Sequence, residues 1–166
     1  DDLVKSFSNV FAVDNERVVL DGYEFIGLNK VSDHEFEYKD RVVLDSGIYT
    51  QTGIFFREGK YYKTANWQDK ALNELESMKQ ALEALPKPTL SEKSIYVMHM
   101  APVGLGKTIR GDKGSIEIFD FLEKMKPRLS LHGHFHESVN LGNKWHLSYK
   151  KMDIIQPGQT TFGSTE

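Results

Sequence analysis

The stretch "YVMHMAPVGLGKT", Tyr96 to Thr108, admits two incompatible readings, and the fold depends on which one holds. From Ala101 onward it matches a relaxed phosphate-binding loop, A-x-x-x-x-G-K-T, whose lysine is Lys107. Just before that it places His99 at the end of an apolar, partly β-branched run. A phosphate-binding loop needs a helix to begin at its Gly-Lys-Thr, because the unbonded N–H groups of that first turn hold the phosphates. Here "IRGDKG" follows at once, and Gly111 and Gly114 each disfavour a helix by roughly 1 kcal/mol relative to alanine. Pro102 removes a further amide from the cradle. "SIYVMHM" therefore reads as a buried strand whose end presents His99.

Downstream, Ser115 is a good N-cap for a helix carrying Ile116, Phe119, Leu122 and Met125 on one face until Pro127. "RLSLHGHFH" then gives a second short strand, so strand, helix and strand between 94 and 132 form a β-α-β unit. That predicts an α/β or mixed α+β architecture, which "KWHLSYK" and "MDIIQPG" close with two more strands. Upstream, Asp21-Gly22 between β-rich runs predicts a tight hairpin with strands near 17–20 and 23–28. Leu72, Leu75, Met78 or Lys79, Leu82 and Leu85 recur at helical spacing and predict an amphipathic helix over about 67–85, stopped by "PKP". Residues 29–64, polar but rich in aromatics, read as an irregular excursion containing a small hairpin around Gly59, a surface flap or a lid.

Three of the six histidines fall in "LHGHFHES", at His132, His134 and His136. On a continuing strand, His134 and His136 would point to one side with Phe135 directed away, and Gly133 would let the backbone come close. If the strands ending at His99 and His132 are neighbours, their C-terminal ends bring His99 to the same crevice, where open α/β sheets place ligands. Three neutral imidazoles suit zinc, manganese, iron, cobalt or nickel. The chain contains no cysteine, so any metal is held by nitrogen and oxygen.

The 21 basic and 24 acidic residues are interspersed, which argues against nucleic acid as a constitutive partner. Neither a membrane-length apolar run nor a signal peptide is visible, so no membrane association and a cytoplasmic location are expected. Residues 1–166 are read as one domain.

"YVMHMAPVG" with His99, "HGHFHES" with Gly133, His134 and His136, and "IIQPGQ" over 154–159 resemble the last motifs of calcineurin-like metallophosphoesterases. "DGYEFIGL" resembles the strand pair that follows that family's central motif. The resemblance implies the C-terminal portion of an αββα sandwich, mixed sheets flanked by helices, with two divalent ions in a crevice between the sheets. It implies that His99 and His134 bind one ion and His136 the other. The expected activity is metal-dependent hydrolysis of a phosphomonoester or phosphodiester by metal-bound hydroxide, the ions lying roughly 3.5–4 Å apart. The expected partner is a phosphorylated small-molecule or nucleotide-type substrate.

The family's earlier motifs, Asp-x-His, Gly-Asp-x-x-Asp and Gly-Asn-His-Asp/Glu, have no counterpart among these residues. "SDHE" at 32–35 and "RGDKG" at 110–114 have the letters without the spacing. The chain opens "DDLVKSF", and Asp1 is expected to be the last residue of the third motif. No catalytic residue is assigned, because the acid histidine belongs to those motifs, and the chain alone is expected to be incomplete. The alternative expectation is a non-catalytic scaffold or protein-binding subunit of the same fold, with the aromatics from Tyr49 to Trp67 as its partner surface.

Overall fold

The computed structural model describes residues 6–32, 41–46, 54–57, 60–63, 75–136, 141 and 144–158. The protein is a mixed α/β structure of the α+β kind. Its centre is a six-stranded sheet of β1 (Arg17–Leu20), β2 (Tyr23–Leu28), β5 (Ser94–Met98), β8 (Leu129–His132), β9 (His146–Tyr149) and β10 (Met152–Ile155). Two hairpins stand apart, β3 (Ile54–Arg57) with β4 (Lys60–Lys63) and β6 (Lys107–Thr108) with β7 (Gly111–Asp112). The spatial order of the sheet is β1-β2-β5-β8-β10-β9. β2, β5, β8 and β10 run parallel, so their C-terminal ends share one edge, while β1 and β9 are antiparallel borders.

The Asp21-Gly22 signal yields a two-residue turn with φ of 49° and 78°, the doubly positive geometry that matches strand twist. Leu20 pairs with Tyr23 across it, so both strands occupy the expected residues. The border hairpin of β9 and β10 makes the same kind of turn with Lys150 and Lys151, φ 48° and 72°.

The faces of the sheet follow from register. Ile26, Tyr96, Ser130 and Ile154 form one cross-strand row, and all four are fully buried. Tyr96 meets Phe121 of the helix α2 (Ile116–Met125) edge-on at 5.3 Å, so this row lies under the helical layer. The neighbouring row, Gly27, Val97, Leu131 and Ile155, lies on the opposite face, where Val97, Leu131 and Ile155 stay half-buried. The sheet is thus packed by helices on one side and presents an apolar, partly open row on the other.

The helix predicted over 67–85 is corrected at its start. α1 spans Met78–Glu83, and residues 64–74 lie outside the described residues. Ser77 is its N-cap: the hydroxyl accepts from Gln80 N–H at 3.1 Å, and the Gln80 side chain accepts from Ser77 N–H at 2.8 Å. Leu44 N–H donates to Glu76 C=O and Met78 N–H to Leu44 C=O, so the backbone at 75–77 is held extended. Leu75 keeps its apolar contact with the core from that extended segment. The stripe on α2 is corrected too. Ser115 caps it as expected, but the buried residues are Ile118 and Leu122, and Ile116 is exposed. Phe121 and Met125 flank them, an i, i+3, i+4 stripe beginning two residues later than expected.

Part of the 29–64 segment belongs to the core. Val31, Val42 and Val43 are buried, and Val31 bridges Val42. The expected hairpin is present as β3 and β4, while its loop, 58–59, lies outside the described residues. So does His34. Among the described residues no helix is long and apolar enough to cross a membrane.

Asp45 is buried beside Ser115, and neither carboxylate oxygen has a hydrogen bond of good geometry. Burial, reinforced by the charge of Glu117 and only partly opposed by the Ser115 hydroxyl, pushes its carboxyl from 3.8 to about 6. That hydroxyl is turned to cap Ile118 N–H. Because the folded value exceeds the unfolded one, the native state binds the extra proton between about pH 4 and 6. Stability therefore falls as pH rises through that window, and the penalty is complete above it. Asp45→Asn is expected to stabilise the protein at pH 8 by about 1–2 kcal/mol, allowing for solvent screening, and to give no such gain at pH 4. Urea titrations at the two pH values check this, and an equal gain at both would remove the ionisation account.

Candidate metal centre

The site lies where the parallel strands end together. Met98 pairs with Leu28 on one side and His132 on the other, so the residues that follow each strand leave the sheet at one edge. His99 N–H donates to Leu28 C=O at 3.0 Å and Gly133 N–H to His99 C=O at 3.1 Å, extending both pairings by one step. A cleft of about 350 Å³ opens here, lined by Val13, Asp14, Asn29, His99, His132 and Gly133 among others. Gly27 makes its floor possible: an added Cβ would lie 2.6 Å from Val13 O, the atom that accepts Gly27 N–H.

The structure brings His99 and His134 together. His134 Nδ1 lies 3.4 Å from His99 Nε2, with ring centroids 5.2 Å apart. That separation is long for a hydrogen bond between imidazoles. It matches the roughly 3.3–3.4 Å edge between two nitrogens bound at ~2.0–2.1 Å in a tetrahedral site. The pair therefore fits two corners of one ion. His136 is exposed and lies near enough for its charge to act on His99. Partial enclosure, then the charges of His136 and Arg41, push the His99 ring below the usual histidine range. The shift favours the neutral imidazole, which keeps a lone pair to offer. Among the described residues no group of three or more His, Asp or Glu side chains is arranged to hold a metal ion.

The strand-pleat argument for His134 and His136 is corrected. β8 stops at His132, and the chain then turns sharply: Phe135 N–H donates to Gly133 C=O at 2.9 Å across His134, whose φ is 72°. This three-residue turn, strained for a non-glycine residue, aims the imidazole back at His99. Phe135 goes into the core, 7% exposed. Gly133 is not needed for space, since an added Cβ there would meet only ordinary contacts at 3.8 Å. His132 is a core side chain. Its Nδ1–H donates to Met100 C=O at 2.8 Å, so Nε2 accepts from the Ser130 hydroxyl at 2.8 Å. Burial pushes it to about 4, which keeps it neutral.

Gln156 escaped the sequence reading as a functional residue. It is fully buried, and its side-chain N–H₂ donates to Phe135 C=O at 2.7 Å and Gly133 C=O at 3.2 Å. One amide thus holds both ends of the turn that carries His134. The only signal was a polar residue closing the apolar run "MDII".

The nucleotide-cradle alternative has no helix at its Gly-Lys-Thr. Lys107 and Thr108 form β6 of a short hairpin, and α2 begins only at Ile116. Asp112 accepts from Gly104 N–H at 2.6 Å and Gly114 N–H at 2.8 Å, so the Gly104 amide of the loop is already taken by a carboxylate of the chain. Gly106 and Gly114 pack too tightly for any Cβ, with backbone atoms at 2.3 and 2.1 Å.

No family model matches the chain, and no curated protein matches it. Among solved structures, one crystal structure aligns with a TM-score of 0.49 at 16% identity, covering 95% of this chain and 49% of that one. The crystal structure of TT1561 of Thermus thermophilus aligns with a TM-score of 0.36 at 16% identity, covering 89% and 49%. The chain spans about half the length of these solved structures.

Proposed function

We propose that the chain is part of a metal-dependent phosphoesterase of the calcineurin-like kind, acting in the cytoplasm on a phosphorylated small molecule or nucleotide-type substrate. The observation that carries this reading is the 3.4 Å approach of His99 Nε2 and His134 Nδ1 at the C-terminal edge of parallel strands. His99 and His134 would hold one divalent ion and His136 would serve a second. Such ions supply charge neutralisation at phosphoryl oxygens and acidify bound water. The chain's own contribution is to favour the neutral form of His99, to aim His134 through the turn at 133–135, and to lock that turn with Gln156. On this reading the half-open row of Val97, Leu131 and Ile155 receives the second layer of the sandwich, which brings the remaining ligands.

A second reading, a non-catalytic scaffold of the same fold, is favoured by the absence of a third clustered ligand among the described residues. One experiment separates the two. The protein in its full natural length is purified without chelator, analysed for metals, and assayed on bis(p-nitrophenyl) phosphate and p-nitrophenyl phosphate with added Mn²⁺, Zn²⁺, Co²⁺, Ni²⁺ or Fe²⁺. The enzyme reading expects bound metal and at least about 100-fold faster hydrolysis than after EDTA treatment. Metal-free protein with no metal-stimulated hydrolysis of either ester leaves the scaffold.

A further inference from the structure

The peptide unit between Leu28 and Asn29 joins the histidine edge to a carboxylate. Its C=O accepts from His99 N–H at 3.0 Å, and its N–H donates to Asp14 Oδ1 at 2.9 Å. A planar trans peptide points these two groups in opposite directions, so the Asp14 carboxylate lies roughly 8 Å from His99 N. Asp14 and His99 both line the cleft of about 350 Å³, and Asp14 is the acidic residue in that lining. The backbone on either side of Asp14 is fixed as well, because Gly27 N–H donates to Val13 C=O at 2.8 Å and Asn15 N–H to Gly27 C=O at 2.9 Å. Asp14 is exposed, and its Oδ2 has no hydrogen bond or ion pair among the described residues. Other carboxylates are consumed by the fold: Glu24 accepts from Thr89 N–H, Leu90 N–H and Arg17, and Asp112 from Gly104 N–H and Gly114 N–H. Asp14 is held in place with one acceptor left over.

We infer that Asp14 is a substrate-positioning residue: its second carboxylate oxygen accepts a hydrogen bond from a hydroxyl on the alcohol part of a phosphate ester whose phosphoryl group sits at the His99–His134 edge. The inference rests on the phosphoesterase reading for the phosphoryl end of the ligand. A carboxylate repels a phosphoryl dianion, so it does not take that end itself. At roughly 8 Å from the backbone of His99 it stands a few bonds further along the ester, where a sugar or a glycerol carries its hydroxyls. An ammonium donor there would be repelled by cations held at the imidazoles, and a hydroxyl is not. A hydrogen bond to an ionised acceptor is about twice as strong as a neutral one, enough to separate polyol phosphates from plain alkyl phosphates. The substrate class is thus a polyol phosphate, such as a sugar phosphate or a ribonucleotide.

The test compares wild type, Asp14→Ala and Asp14→Asn in the full natural length, each loaded with Mn²⁺. The phosphonate isostere of α-glycerophosphate and plain butylphosphonate cannot be hydrolysed and differ only in hydroxyls, and calorimetry measures the Kd of each. Metal content is measured by elemental analysis, and KM and kcat on α-glycerophosphate and propyl phosphate. Expected is a wild-type Kd at least about tenfold tighter for the hydroxylated phosphonate. That preference falls to near unity in Ala and is partly kept in Asn, which retains a neutral acceptor. The KM preference for α-glycerophosphate collapses in parallel, while metal content stays at the wild-type level. A wild type that binds both phosphonates equally, or neither, overturns the inference, and so do variants that keep the wild-type preference. Equal loss of both phosphonates together with metal makes Asp14 a brace for the 28–29 peptide alone and overturns it too. If the preference is present and lost in Ala but neither ester is hydrolysed, Asp14 stands and the phosphoesterase reading falls. If both esters are hydrolysed with the same KM preference in all three proteins, Asp14 falls and that reading stands.

Discussion

His134→Ala is expected to lower retained divalent metal by at least about 100-fold, measured by equilibrium dialysis and elemental analysis. Removing a hydrogen-bond partner of a metal ligand already costs 10–100-fold, and His134 is itself one of the two nitrogens that face each other at 3.4 Å. Its backbone makes a second, independent expectation possible. At φ 72° any non-glycine side chain is strained, by about 1–3 kcal/mol in surroundings that enforce the conformation. His134→Gly should therefore lose metal as fully as His134→Ala yet be more stable than it by about 1 kcal/mol, because glycine occupies this region freely. Loss of metal with a gain in stability is the pattern of a functional group held in an unfavourable conformation. Metal content equal to wild type in both variants would remove His134 from the site, whatever the stability change.

The features that the sequence made legible are those fixed by local chemistry. Asp21-Gly22 carries its turn geometry in its residue types, and Ser115 caps a helix wherever that helix packs. The illegible features depend on distant backbone. Lys150 and Lys151 adopt the same doubly positive turn as Asp21-Gly22 without glycine or asparagine, imposed by the register of β9 on β10 rather than by preference. The start of α1 is hidden because Leu72 and Leu75 continue its period, while Leu44 claims the backbone at 76 and 78 for an extended bridge. Periodicity cannot register a backbone bridge arriving from over thirty residues away.

The site shows the same division. His99 at a strand end, next to the strand bearing the histidine cluster, follows from composition and the β-α-β pattern, and parallel pairing of β5 with β8 supplies the geometry. Two particulars are hidden. Alternation along a continuing strand would join His134 to His136, but the strand ends at His132, and a turn orients His134 instead. Gln156 closes an apolar run and reads as a strand end, and only its hydrogen bonds to Gly133 C=O and Phe135 C=O reveal that it holds the turn.

Gln156 carries the other large expected effect, because it links the core to the turn. Its two donors are aimed at Gly133 C=O and Phe135 C=O, and its own Oε1 is buried without a partner. Gln156→Leu keeps the volume and leaves both carbonyls unsatisfied, at about 1–3 kcal/mol each, partly offset by removal of the unpaired Oε1. A net loss of about 2–4 kcal/mol in urea denaturation is expected, together with 10–100-fold weaker metal retention as the His134 turn loosens. Gln156→Glu provides the sharper measurement, because a carboxylate there faces two carbonyl oxygens and can donate to neither. Burial and those dipoles raise its folded pKa above the ~4.3 of an unfolded glutamate, so this variant's deficit grows as pH rises from about 4. At pH 4 the protonated side chain can still donate to Phe135 C=O, and the deficit should be smallest there. A variant that loses stability but keeps wild-type metal retention would make Gln156 a core residue alone and would detach the turn from the metal centre. Parallel loss of both, deepening with pH in Gln156→Glu and independent of pH in Gln156→Leu, requires that this amide holds the His134 turn in place.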